Sequence, residues 1–80
     1  MAVRLVFLGR LADVAGTGEM LLDEGGAINV LLARLAAPLA EALAGPRIKR
    51  ALNGVVLAPG ALPVLGDGDE LAFLPPVSGG

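Results

Sequence analysis

The sequence predicts an α+β fold: a mixed sheet of four to five strands, one main helix across it, and an extended C-terminal tail. Three observations predict it. Residues 3–8 and 70–74 are short apolar runs that alternate in the manner of strands. Ile28, Leu31, Leu32 and Leu35 recur at i, i+3, i+4 and i+7, the stripe of an amphipathic helix. Asn53-Gly54 stands between two further apolar runs and is the strongest hairpin signal in the chain.

Taken in order, residues 3–8 alternate Val3, Leu5 and Phe7 against Arg4, Val6 and Leu8, a strand largely covered on both faces. Gly9 ends it. Residues 11–15 form a single helical turn closed by Gly16, and Thr17-Gly18 supplies turn chemistry before a second short strand over 19–23. Gly25-Gly26 breaks that strand. The helix begins at Ile28 behind a weak N-cap, Gly26 or Ala27, so its stability must come from packing. It should stop near Ala36 or Ala37, because Pro38 lacks an N–H and clashes with the preceding turn. Pro38 instead suits the first position of a short second helix over 38–44, ended by Gly45-Pro46.

Residues 48–52 and 55–57 are the arms of the Asn53-Gly54 hairpin. Pro59-Gly60 and Pro63 keep the following segment irregular. Gly66-Asp67-Gly68-Asp69 is a tight turn before the last strand, 70–74; its carboxylates are too few for a calcium cage. Strands gathered around a single crossing helix give the ubiquitin-like β-grasp as the natural candidate, with a folded domain over 1–74 and a tail over 75–80. In the last strand Leu71 and Phe73 face one side, Ala72 and Leu74 the other. Only one side can lie under the helix, so the other should leave an apolar patch beside the tail, unless residues 58–65 cover it.

Composition narrows the function. The 80 residues contain no His, Cys, Tyr or Trp, which removes the usual nucleophile, general base and soft metal ligands together. A self-contained enzyme is not expected. Without cysteine there is no disulfide scaffold, which suits a reducing cytoplasm, the compartment expected here. A net charge of −2 argues against nucleic acid, and the sole basic cluster, Arg47, Lys49 and Arg50, reads as a solvated strand end. The apolar stretch 27–44 is broken by Asn29, Arg34, Pro38 and Glu41 and is not a membrane span. An apolar content of 55% and a mean hydropathy of +0.76 are high for so small a domain, so exposed apolar surface and a protein partner are expected.

The sequence closes on Leu74-Pro75-Pro76-Val77-Ser78-Gly79-Gly80, which points to a terminal carboxylate as the working group. Two glycines can thread a narrow cleft and leave the Gly80 carbonyl open to attack. Pro75 and Pro76 fix φ and favour an extended path, and six residues reach roughly 20 Å when extended. That span can enter another protein's active site.

The run Asp67-Gly68-Asp69-Glu70-Leu71-Ala72-Phe73-Leu74-Pro75-Pro76-Val77-Ser78-Gly79-Gly80 resembles the C-terminus of the molybdopterin synthase small subunits, the MoaD-like sulfur carriers. Phe7 followed by Arg10-Leu11-Ala12-Asp13-Val14-Ala15-Gly16 is similar to that family's first strand and short helix, and Asn53-Gly54 falls at its hairpin. The resemblance implies that a ubiquitin-activating-type adenylyltransferase uses ATP and magnesium to adenylate the Gly80 carboxylate, the chain itself binding no cofactor. A sulfur donor protein then converts the acyl-adenylate to a thiocarboxylate. The tail enters the large subunit of molybdopterin synthase, in a heterotetramer, and gives its sulfur to cyclic pyranopterin monophosphate in molybdenum cofactor biosynthesis. On that reading Gly80 carries sulfur, Gly79 and Ser78 thread the cleft, and Val77, Pro76, Pro75, Leu74 and Phe73 dock, with Phe7 a further interface candidate.

The chain departs from the family at Lys49 and Arg50, where a strand tends to be apolar, and at Leu74, where an aromatic is common. The nearest alternatives are a carrier for thiazole synthesis, cysteine synthesis or tRNA thiolation, and a ubiquitin-like modifier joined to lysines. The 9–18 segment is long for a thiazole carrier. Lys49, the sole lysine, would have to carry any self-linked polymer not built through the amino terminus.

Overall fold

The computed structural model describes residues 2–76. Strand β1 (Val3–Phe7) leads into helix α1 (Arg10–Ala15) and returns as β2 (Glu19–Leu22); β3 (Gly26–Ala27) then runs straight into α2 (Ile28–Ala33). Helix α3 (Ala37–Leu43) precedes the hairpin of β4 (Lys49–Leu52) and β5 (Val55–Val56), followed by β6 (Val64–Leu65) and β7 (Glu70–Leu74). The main sheet has the order β2-β1-β7-β4-β5, with β1 and β7 parallel and the other pairs antiparallel. This is the β-grasp arrangement, and it makes the last strand the central one.

The alternation in β1 and β7 sets the core. Leu5 pairs with Leu71 and Phe7 with Phe73, so these side chains share the covered face of the sheet. They pack with Leu11 of α1, Ile28 and Leu31 of α2, and Leu39 and Leu43 of α3 in one cluster of buried residues. Helix α2 is shorter than its apolar stripe. The Arg34 N–H donates to the Leu31 carbonyl and the Leu35 N–H to the Leu32 carbonyl, both i→i−3 bonds, so the last turn tightens ahead of Pro38. Ala27 caps it with no side chain. The Ile28 N–H instead donates to the Pro63 carbonyl, 3.0 Å away, which satisfies an otherwise orphan helix-start donor from a distant loop.

The irregular reading of residues 58–65 needs one correction. Val64 and Leu65 form β6, which pairs antiparallel with β3 as a separate two-stranded sheet. Two-residue strands are too short to show a period of two, which is why neither was visible in the sequence. Gly25 lets them approach, since a Cβ there would overlap the Leu65 carbonyl oxygen.

Asn53 and Gly54 have φ of 50° and 85°, the paired left-handed conformation of a tight hairpin turn. The Asn53 amide also ties that turn to the start of β7. Its Nδ2 donates to Asp69 Oδ1 at 3.0 Å, and its Oδ1 accepts from the Glu70 N–H at 2.9 Å. Asp69 Oδ2 accepts from the Gly66 N–H at 2.7 Å, so the acidic turn is closed by its own carboxylate.

Candidate functional site

The site is built on the exit of β7. Hydrogen bonding to β1 continues past the strand pair, with the Leu8 N–H donating to the Phe73 carbonyl at 3.2 Å. Beyond it Gly9, at φ 56°, starts α1 directly against the proline that opens the tail: a Cβ on Gly9 would stand 3.1 Å from Pro75 Cγ. On the other flank Leu74 is paired with Lys49 of β4. Leu74, Pro75 and Pro76 are half-buried. The base of the tail is therefore held on both sides by backbone that the fold fixes.

The faces of β7 divide as its alternation requires. Leu71 and Phe73 are inaccessible beneath the helices, while Ala72 and Leu74 lie half-covered on the opposite face. Register places Val6, Ala51 and Val56 on that same opposite face, with Val56 58% exposed, which gives the apolar surface beside the tail that the sequence predicts. Arg4 crosses it nearer β2, with Nε 3.6 Å from Glu19 and Nη1 3.4 Å from Glu70. These are exposed pairs, each contributing about 0–1 kcal/mol.

Two of the predicted docking residues are corrected by this geometry. Phe73 and Phe7 stack on each other in the core, ring centroids 5.9 Å apart and planes 17° from parallel. Both are buried, 0% and 2% exposed, so neither ring offers a partner any surface. Alternation along β7 already groups Phe73 with Leu71, and the helices cover that group. Leu74, Pro75 and Pro76 do stand at the surface of the exit. Val77, Ser78, Gly79 and Gly80 lie outside the described residues.

Sequence reasoning missed the groove that runs from this exit. Residues 44–50, which lead from α3 into the start of β4, and residues 56–62, from the end of β5 onward, enclose with Leu74, Pro75 and Pro76 an open cavity of about 1260 Å³. Residues 58–62 line it with Leu74 and leave Leu74 half-exposed, so they do not cover the face beside the tail. A much smaller hollow, about 230 Å³, lies away from the tail against Asp23, Glu24 and Arg34. Among the described residues no helix is long and apolar enough to cross a membrane.

The fold perturbs the titration of Asp69. The Gly66 N–H first, and the Asn53 amide second, favour its charged form and hold its carboxyl below the ordinary aspartate value. It sits at the start of β7, the end of the strand opposite the tail.

Comparison with known proteins places this geometry in context. Residues 5–80 match the ThiS family. The chain is similar to SAMP1 from Haloferax volcanii, with 26% identity and a TM-score of 0.73 over the whole of both chains. It is also similar to the small archaeal modifier protein 1 of Methanosarcina acetivorans, 30% identical, with 99% of this chain and 96% of that one covered and a TM-score of 0.70. A Pyrococcus furiosus protein provisionally named molybdopterin converting factor, subunit 1, shares the fold at 23% identity and a TM-score of 0.69, covering 96% of this chain and 99% of that one. No curated protein matches the sequence significantly.

Proposed function

The chain belongs to the ThiS family, a ubiquitin-like β-grasp family of sulfur carriers and modifiers, and from that premise we propose that it is the sulfur-carrying small subunit of a molybdopterin synthase. The observation that carries the reading is the family match through the Gly-Gly motif, joined to a central strand that delivers Leu74, Pro75 and Pro76 at one end of the sheet. The working atom is the Gly80 carbonyl carbon.

A carboxylate is a poor acyl donor at neutral pH. An activating partner of the adenylyltransferase type, using ATP and magnesium, joins AMP to a Gly80 carboxylate oxygen and releases pyrophosphate. A sulfur donor protein then supplies sulfide-level sulfur, which forms a C–S bond at the Gly80 carbonyl carbon as the C–O bond to AMP breaks, leaving a thiocarboxylate and free AMP. Held covalently on a short tail, the sulfur reaches its acceptor at high effective concentration. The acceptor in this reading is cyclic pyranopterin monophosphate in the large subunit, which supplies the catalytic side chains. Gly79 and Ser78 thread the cleft, and Val77, Pro76, Pro75 and Leu74 dock. The chain binds no cofactor of its own and works in the cytoplasm.

The likeness to the small archaeal modifier protein 1 favours a second reading, a modifier whose Gly80 is joined to lysines of other proteins. The intact mass of the natural protein, recovered untagged at its C-terminus, separates the two. A gain of about 16 Da on the Gly80 fragment, oxygen replaced by sulfur, is expected for the carrier. Gly80 found in isopeptide linkage with an unshifted free pool would replace it by the modifier. Deleting Gly80 should abolish sulfur loading while the fold is retained; a fully loaded deletion variant overturns the proposal.

A further inference from the structure

Half of the positive charge in this chain lies in one short stretch. Of its six basic residues, Arg47, Lys49 and Arg50 fall within the segment that leads into and begins β4, in a molecule whose net charge is −2. All three line the groove at the tail's exit. Arg47 and Lys49 are exposed, Arg50 is half-buried, and among the described residues none of the three pairs with a carboxylate. The other arginines with close carboxylates, Arg4 and Arg34, show that acidic side chains are used elsewhere. The groove is left cationic.

Its remaining walls are apolar. Leu57, Leu62, Leu74 and Pro75 line it, Leu62 is 62% exposed, and Val56 stands at its edge. An occupant must therefore supply apolar side chains and carboxylates together. Nucleic acid fits poorly, because the only aromatic rings, Phe7 and Phe73, are buried and no base could stack on them. A lipid surface asks for a flat cationic face, whereas this is a trough. We infer that the groove docks an extended acidic segment of a partner protein, its carboxylates facing Arg47 and Lys49 and its apolar side chains seated against Leu62 and Leu74, on the side of β4 where Lys49 pairs with Leu74. The segment lies alongside the tail as it leaves the domain. The inference builds on the carrier reading, in that the partner so held is one that receives the tail, and it assigns partner choice to the groove's charge.

The test is a titration of the ¹⁵N-labelled full chain with an acetylated, amidated ten-residue peptide that alternates Glu with Leu and Val around one Pro. A matched peptide with Lys in place of every Glu serves as control. The acidic peptide should shift the amides of Leu74 and of the non-proline residues within 44–50 and 56–62, with a Kd of about 0.1–1 mM, weakening at least about fivefold between low and high salt. Arg47→Glu with Lys49→Glu, at exposed positions, should weaken it about tenfold or more and bring on binding of the Lys peptide. Any of four results overturns the inference: no saturable shifts up to about 5 mM, equal binding of both peptides, tighter binding of a single-stranded oligonucleotide, or the same shifts on raising the protein concentration alone, which would make a second copy the occupant. Docking is read without sulfur chemistry. An empty groove beside a thiocarboxylate at Gly80 sinks this inference alone, and an occupied groove beside a bare carboxylate sinks only the carrier reading.

Discussion

Phe7 and Phe73 fill the centre of the covered sheet face, and their partnership fixes what each can do. Stacked aromatic pairs contribute about 0.5–1.5 kcal/mol beyond the area they bury. Phe73→Leu, which keeps the site apolar but loses the pair, should lower unfolding free energy by about 1–2 kcal/mol in urea titrations. Sulfur loading of the folded protein should be unchanged, because the ring touches no partner. Loss of loading without loss of stability would return Phe73 to the docking surface. Asp69 works in the opposite way, through charge. Its folded pKa is depressed by the Gly66 N–H and the Asn53 amide, so its contribution is present above the unfolded value of about 3.9 and vanishes as pH falls through the lower folded value. Asp69→Asn should therefore flatten the loss of stability on the acid limb and cost stability at neutral pH. Urea midpoints followed from pH 6 to about pH 2 check this, and a variant that parallels the parent at every pH contradicts it.

The elements show why some parts of this fold were legible and others were not. The strand at 70–74, the hairpin at Asn53-Gly54 and the short helix behind Pro38 each carry a local cause, in alternation, left-handed turn geometry or a missing N–H, and each was found within a residue or two. The pairing of β3 with β6 has no such cause. It depends on Gly25 lying against Leu65, forty residues away, and on the Pro63 carbonyl receiving the first N–H of α2. Both are contacts that no periodicity encodes. Gly25→Ala tests their weight: the added Cβ meets backbone, which cannot rotate away, so a cost of about 1–3 kcal/mol and a melting point lower by roughly 5–20 °C are expected. An unchanged melting point would mean that β3 and β6 can part without consequence. The candidate site divided along the same line. Alternation in β7 told which residues share a face with Leu74, whereas the groove is made by two connecting segments whose convergence no single stretch of sequence announces.

For the whole molecule, the decisive fact is that the strand bearing the tail is flanked by β1 on one side and β4 on the other. On the carrier reading proposed above, a loaded tail is drawn upon whenever a partner turns or releases, and such a pull runs along β7. The two ladders lie across that direction, so their hydrogen bonds are loaded all at once and must slide together; they cannot open singly from one end as a zipper does. Force spectroscopy with handles at Val3 and Pro76 should give a higher rupture force than handles placed across the two-residue edge strand β5 at Val56 and Lys49, and equal forces would deny the domain this property. The same strand order that buries Phe73 makes the domain a mooring, able to stay folded while its C-terminal strand is tugged.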